Sequence, residues 1–115
     1  MREQVRDKGR LEHILAEIDN AFMFTEGVTF EDFQTNKLLR YGVTKCVEII
    51  GEASYKLTNE FRETYSDIEW KKVIGLRHVL VHGYYQLESI RIWQIIQNDL
   101  PPLKQKIQQI YDTYK

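Results

Sequence analysis

The sequence contains few of the residues that cross-link or interrupt small folds. Its 115 residues include one cysteine and two prolines. A single cysteine forms no internal disulfide, so we interpret Cys46 as a buried core thiol in a reducing compartment. No apolar run approaches the roughly 20 residues of a membrane span, and the charged first residues lack the apolar core of a signal peptide. We therefore expect a soluble, cytoplasmic protein without a membrane segment.

An excess of charge of either sign is also absent. The chain has 16 Lys and Arg residues against 17 Asp and Glu residues, which gives a formal net charge of -1. This balance disfavours a globally basic nucleic-acid-binding protein but allows a local basic cleft. The hydrophobic fraction of 43% is ordinary for a folded protein. Because the length suits one hydrophobic core, we expect a single domain over residues 1–115.

Strand-like alternation does not occur, whereas apolar residues recur at helical spacing along most of the chain. The apolar stripes predict helices over roughly residues 4–25, from about 29 to 57, over about 69–82 and from about 89 onwards, with a short helical turn over about 59–65. Short connections between such helices are typical of bundles. The pattern therefore predicts an all-α, antiparallel four-helix bundle with a short extra helix and a kinked C-terminal helix.

Glycines and a capping residue divide the first half of the chain. Gly27 is expected to close the first helix, and Thr29 followed by Asp32 marks the start of the next helix. Gly42 and Gly51 lie inside the predicted second helix, where each glycine costs about 1 kcal/mol relative to alanine. We expect close backbone contact with another helix at both glycines.

Capping and proline signals divide the second half. The segment Ser66–Glu69 has the spacing of a capping box ahead of the third helix, and Gly83 is a plausible left-handed stop for it. Pro101 and Pro102 interrupt the last helical pattern. They predict a kink or a restart near Asp99, which we expect to be the new N-cap.

The stretch Arg77–Tyr85, with the sequence RHVLVHGYY, concentrates the reactive side chains of the chain. Arg77 is a permanent fork-shaped cation suited to a phosphate, and His82 can transfer protons near neutral pH. The two residues are five positions apart, which is about 140° on an ideal helix, so they do not share a face. They can converge if Arg77 reaches round the helix, if a second subunit supplies one of them, or if the helix ends before His82.

The sequence resembles the HEPN superfamily, specifically the HepT-type toxins of two-gene HepT/MntA toxin–antitoxin systems. The resemblance covers nearly the whole chain. It is carried by the segments Glu48–Ala53, Ile68–Trp70, Arg77–Tyr84 and Asn98–Pro101.

This resemblance implies a metal-independent endoribonuclease toxin of a type VII-like system, without a cofactor. Arg77 and His82 match the catalytic residues that line a cleft between two subunits of a homodimer. Tyr84 matches the tyrosine that receives AMP groups from an MntA-like nucleotidyltransferase antitoxin. The toxin dimer and the antitoxin can form a larger hetero-complex. Because one histidine cannot be base and acid at once, we hypothesise that the two copies of His82 divide these roles.

His78 departs from the resemblance, since a small polar residue such as Asn is common after the motif arginine. It could assist catalysis or weaken substrate positioning. His78 and His82 also share a helix face and could bind zinc, but no acidic residue or cysteine stands at a matching spacing. We predict no metal site.

Other interpretations remain open at this point. The runner-up function is a non-catalytic helical subunit that binds a nucleotide or substrate for a partner nucleotidyltransferase, and a structural dimerisation module is a third. Trp70 and Trp93 are interpreted as core anchors rather than base-stacking platforms. Lys71 and Lys72 could contact an RNA backbone or form a solvated turn.

Overall fold

The structure is a computed structural model that describes residues 2–79 and 85–114, with side chains described for 6–79 and 89–114. Every regular element in these ranges is helical. The α-helices are α1 (Arg2–Thr25), α2 (Phe30–Thr35), α3 (Lys37–Tyr55), α4 (Asn59–Thr64), α5 (Trp70–Gly75), α6 (Tyr85–Gln94) and α7 (Leu100–Asp112). A 3-10 turn, Leu76–His78, follows α5, and a π-helical turn, Ile95–Asp99, joins α6 to α7.

The core lies where α1 packs along α3 and against α7. Apolar side chains from these helices are completely shielded from solvent; they include Leu11, Ile14, Ile18, Val43, Val47, Ile50, Leu100 and Ile107. The 3-10 turn and α5 pack on α3, and α2 contacts α3 and α6. The predicted all-α bundle is confirmed, because each amphipathic stripe has a helical partner that removes it from water.

Local hydrogen bonds explain the first two boundaries. Gly27 adopts a φ of 72°, a left-handed conformation that glycine adopts readily, in the turn that follows α1. The Oγ1 of Thr29 accepts a hydrogen bond from the backbone N–H of Asp32 at 3.1 Å, so the predicted cap is confirmed. The single helix predicted as far as residue 57 is wrong. Asn36 has an extended backbone, and its side chain caps the N–H of Leu39 at 3.0 Å, which separates α2 from α3.

The predicted capping box at Ser66–Glu69 is wrong. Helix α5 begins at Trp70, and Glu69 makes no capping hydrogen bond with its side chain. Instead its carboxylate lies 2.8 Å from the Nζ of Lys72, and this hydrogen bond and charge lower the pKa of Glu69. The α-helix is also shorter than predicted, since it tightens into a 3-10 turn after Gly75. The predicted stop at Gly83 lies outside the described residues.

The predicted break near the prolines is confirmed, but its form is different. The π-helical turn immediately precedes α7, and Pro101 lies in the first turn of that helix. A wide π turn accommodates residues that lack a backbone N–H donor, so the chain stays helical through it. Asp99 therefore keeps a helical backbone (φ -95°, ψ -40°) and is not a side-chain N-cap. Helix α6 begins at Tyr85, earlier than the start predicted near 89.

Candidate active site

The backbone at Arg77 touches α3 at Gly51. A Cβ atom added to Gly51 would lie 2.4 Å from the backbone nitrogen of Arg77 and 3.0 Å from the carbonyl carbon of Leu76. Real Cβ atoms do not approach backbone this closely, so only glycine permits this contact. The close backbone approach predicted for Gly51 is confirmed. For Gly42 it is wrong, because the nearest atoms are side-chain carbons of Phe24 at 3.9 Å.

The Arg77 side chain lies against two residues of α3. Its Cζ atom is 3.9 Å from the centroid of the Tyr55 ring, which is a cation–π contact. Its Nη1 atom is 4.0 Å from the Oε2 of Glu52. Residues three apart lie on one side of a helix, so Glu52 and Tyr55 flank the same guanidinium. Arg77 is therefore oriented by an aromatic ring and a carboxylate of α3.

The electrostatic balance of this site leaves the arginine available to an anion. The Arg77 side chain is 27% exposed and that of Glu52 is 49% exposed, so water screens their attraction. The 4.0 Å separation is the outer limit of an ion pair. Among the described residues, nothing accepts a hydrogen bond from the buried Nε of Arg77. A partly exposed, pre-positioned guanidinium can bind two oxygens of one phosphate.

The other predicted site residues are described only in part. His78 is the last residue of the 3-10 turn and is exposed. His82 and Tyr84 lie outside the described residues, so the structure does not place them relative to Arg77. Over the described residues 76–79 the chain is not a continuation of α5, since that helix ends at Gly75 and a 3-10 turn carries Arg77.

Tyr55 and Glu52 were not among the predicted site residues. Glu52 lies in a segment that carries the family resemblance, but its pattern does not reveal its neighbour in space. Tyr55 offered no indication in sequence, because an aromatic residue at a helix end is common. The buried Gly51 was the available clue, since a glycine inside a helix often marks a close backbone contact.

Two tryptophans and a lysine pair take structural positions. Trp70 is buried and donates its indole N–H to the carbonyl of Tyr65 at 3.0 Å, and Trp93 packs against Phe30 and Phe33. Both therefore anchor the core. Lys72 is paired with Glu69 on an exposed turn, and Lys71 is exposed. These positions support the solvated-turn interpretation of the two lysines.

The described part of the chain has neither a metal cluster nor a membrane-spanning helix. No group of three or more His, Cys, Asp or Glu residues there is arranged to hold a metal ion. None of its helices combines the length and the apolar character needed to cross a membrane.

Comparison with known proteins identifies one family. Residues 14–110 match the sequence profile described as "Ribonuclease HepT-like". "Putative RNase MJ1380" of Methanocaldococcus jannaschii is 37% identical over 101 residues, covering 88% of this chain and 93% of the relative. "Putative RNase TTE0752" of Caldanaerobacter subterraneus subsp. tengcongensis is 36% identical, with 91% and 94% covered. "Probable ribonuclease HepT" of Thermococcus cleftensis is 33% identical, with 90% and 94% covered. No solved structure matches the chain.

Proposed function

This chain belongs to the HepT-like ribonuclease family, and from that premise we propose that it is an endoribonuclease that cleaves RNA with Arg77 and His82 and without a metal ion. The observation that carries the proposal is the state of Arg77. Its guanidinium is stacked on Tyr55 and flanked by Glu52, on a turn whose backbone is held against Gly51. Such a pre-positioned cation suits a phosphate that gains charge during cleavage.

The proposed reaction is attack of the ribose 2′-oxygen on the adjacent phosphorus. His82 takes the 2′-hydroxyl proton as general base, and the bond to the leaving 5′-oxygen breaks as that oxygen receives a proton. Arg77 donates hydrogen bonds to the non-bridging oxygens as negative charge accumulates on them. His78, exposed on the same turn, is the candidate assisting group.

We place the cleft between two copies of the chain in a homodimer. Two copies of His82 would then supply a base and an acid at once. Exposed apolar side chains on α3 support a partner on this helix: Leu38 is 83% exposed, Tyr41 is 59% exposed and Tyr55 is 50% exposed. A heterodimer with one His82→Ala subunit tests this division of labour, and full activity in that heterodimer would argue against it.

The proposed regulation follows from the family. The enzyme is a toxin of a type VII-like system, and an MntA-like nucleotidyltransferase antitoxin silences it by adding AMP to Tyr84. Mass spectrometry after co-expression with the antitoxin should find AMP on that tyrosine. Full neutralisation with unmodified Tyr84 would mean that the antitoxin acts by binding alone.

The central experiment combines growth and RNA cleavage. Induction of the unchanged chain should arrest growth and cleave RNA in EDTA, whereas Arg77→Ala and His82→Ala should lose both effects. Arg91→Ala, which removes an exposed arginine of α6, is the matched control and should behave like the unchanged chain. If all four proteins leave RNA intact, the endoribonuclease proposal fails, and the alternative of a non-catalytic nucleotide- or substrate-binding subunit replaces it.

A further inference from the structure

A second basic site adjoins Arg77 on the surface between α1 and α3. A cavity of about 210 Å³ is lined by Arg10, His13, Ile49, Glu52, Ala53 and Lys56. We propose that this cavity is a second phosphate-binding subsite, which holds the RNA backbone beside the phosphate bound by Arg77. The inference rests on the proposed ribonuclease function and extends it to how the substrate strand is held.

The charge of the cavity favours an anion. Helix α1 supplies Arg10 and His13, and α3 supplies Lys56 and the single carboxylate, Glu52. At neutral pH the two basic side chains, Arg10 and Lys56, therefore face the single carboxylate Glu52. Ile49 and Ala53 form the apolar wall. A small recess lined by two basic side chains is a suitable size and charge for one phosphate group.

Neither Arg10 nor Lys56 has a carboxylate partner within the described residues. Two other lysines have carboxylate partners: Lys104 lies 2.7 Å from Asp19, and Lys72 lies 2.8 Å from Glu69. Within the described residues, by contrast, no ion pair or side-chain hydrogen bond engages Lys56 or Arg10, and the buried Nε of Arg10 has no acceptor. A bound phosphate would supply the acceptors that the fold does not.

Glu52 connects the cavity to the candidate active site. Its side chain lines the cavity, and its Oε2 atom is 4.0 Å from the Nη1 of Arg77. A carboxylate between two basic groups repels a phosphate placed midway and leaves one position on each side. An RNA strand carries one phosphate per nucleotide and so has phosphates for both positions. One phosphate would lie at Arg77 and another at Arg10 and Lys56.

The binding test uses a His82→Ala background, so that the probe stays intact. A fluorescein-labelled single-stranded RNA of about twelve nucleotides is titrated by anisotropy at several KCl concentrations. The double variant Arg10→Gln/Lys56→Gln should bind about fivefold more weakly at moderate salt. Its slope of log K against log salt should be smaller by about 0.7, the change expected when one single-strand phosphate contact is lost.

Two further double variants serve as controls. Arg91→Gln/Lys104→Gln removes the same two charges outside the cavity and should keep the slope of the unchanged background. Arg10→Lys/Lys56→Arg keeps both charges in the cavity and should also keep the salt slope of the unchanged background. Thermal unfolding by circular dichroism verifies that each variant is folded. If the cavity variant and the Arg91/Lys104 control have the same slope, the subsite is overturned.

Cleavage separates this inference from the proposed function. With active enzyme, Arg10→Gln/Lys56→Gln should raise the KM for the long RNA about fivefold with little change in kcat. It should leave cleavage of a dinucleoside monophosphate unchanged, because that substrate has only the phosphate at Arg77.

An equal loss on both substrates would overturn the subsite. RNA cleavage by the unchanged chain with no effect of the cavity variant would overturn the subsite alone. Salt-dependent binding lost in the cavity variant, without any cleavage by the unchanged chain, would overturn the function alone.

Discussion

The two glycines of α3 occupy the same kind of sequence position but opposite environments. A Cβ atom added to Gly42 would meet only the ring of Phe24, at an ordinary 3.9 Å, and the neighbouring Leu38 and Tyr41 are exposed. Gly51 is buried against main chain, with room for no additional atom. The N-terminal half of α3 is thus an ordinary packed helix, whereas its C-terminal half is shaped around the Arg77 turn. Whether a glycine inside a helix is required therefore depends on the atoms that pack against it.

The largest effect is expected from Gly51→Ala. The new Cβ would collide with the backbone of Arg77, which cannot yield as a flexible side chain can. Overpacking of this kind destabilises a protein by about 1–3 kcal/mol, which outweighs the gain of about 1 kcal/mol in helix propensity. Urea unfolding should show a net loss, and RNA cleavage should fall in the fraction that remains folded. Unchanged stability and cleavage would mean that the turn does not rest on Gly51.

The tyrosines at the two ends of α3 offer a second comparison. Tyr55 lies 3.9 Å from the Arg77 guanidinium, whereas Tyr41 lies 5.6 Å from the Nζ of Lys37. Tyr55→Leu should lower kcat for RNA about tenfold, which corresponds to about 1.4 kcal/mol, because the cation–π contact that orients Arg77 is lost. Tyr55→Phe should restore most of the activity, since it keeps the ring. Equal losses in Tyr55→Leu and Tyr55→Phe would show that the ring of Tyr55 does not position the arginine.

Cys46 lies in the middle of α3, and its side chain is buried. Burial, with the nearby Glu17 carboxylate, raises the pKa of the Cys46 thiol to about 11 from an ordinary value of 9.0. The unfolded chain therefore loses this proton first as pH rises. The contribution of the protonated Cys46 thiol to the free energy of unfolding is complete below pH 9 and is lost as pH rises through about 11.

Urea unfolding at pH 8 and pH 10 tests this sign. The unchanged chain should lose about 1 kcal/mol more stability between these pH values than Cys46→Ala, which has no thiol to titrate. Parallel losses in both proteins would show that the thiol does not titrate differently in the folded and unfolded chains.

The smallest expected effect is that of Gly42→Ala. The new methyl group would meet only the ring of Phe24 at an ordinary contact distance, so the change in helix propensity dominates. Stability should rise by about 0.5–1 kcal/mol. Gly42→Ala should therefore stabilise the protein and Gly51→Ala should destabilise it, although both residues lie in one helix. Destabilisation by both would remove the distinction between the two halves of α3.

Much of the fold could be predicted because its signals are local. The cap at Thr29 and the end of the first helix ahead of Gly27 depend on residues within one turn, and both predictions are confirmed. The errors occur where neighbouring signals compete. At Asn36 a capping side chain interrupts an apolar stripe that continues beyond it, and at Glu69 an ion pair with Lys72 replaces a capping bond. Spacing alone does not rank such competing interactions.

The candidate site could be predicted only in part. The reactive character of Arg77 follows from its residue type and its motif, and the roles of His82 and Tyr84 stay predictions. The contacts of Tyr55 and Glu52 with that arginine were not predictable. These contacts form where α3 packs against the turn after α5. The spacing of apolar residues within one segment does not predict which residues of the other segment it will contact.

By itself, the sequence determined the helices, their apolar faces and the presence of a reactive motif, because hydrogen bonding and amphipathic spacing act between residues a few positions apart. The tertiary structure alone decided that Gly51 would receive the Arg77 backbone, and that Arg10 and Lys56 would share a cavity beside Glu52. These neighbours are distant along the chain and meet only because burial of the apolar faces aligns α1, α3 and the turn. Helix identity is thus a local property of this chain, whereas the environment of its arginine is a property of the packed core.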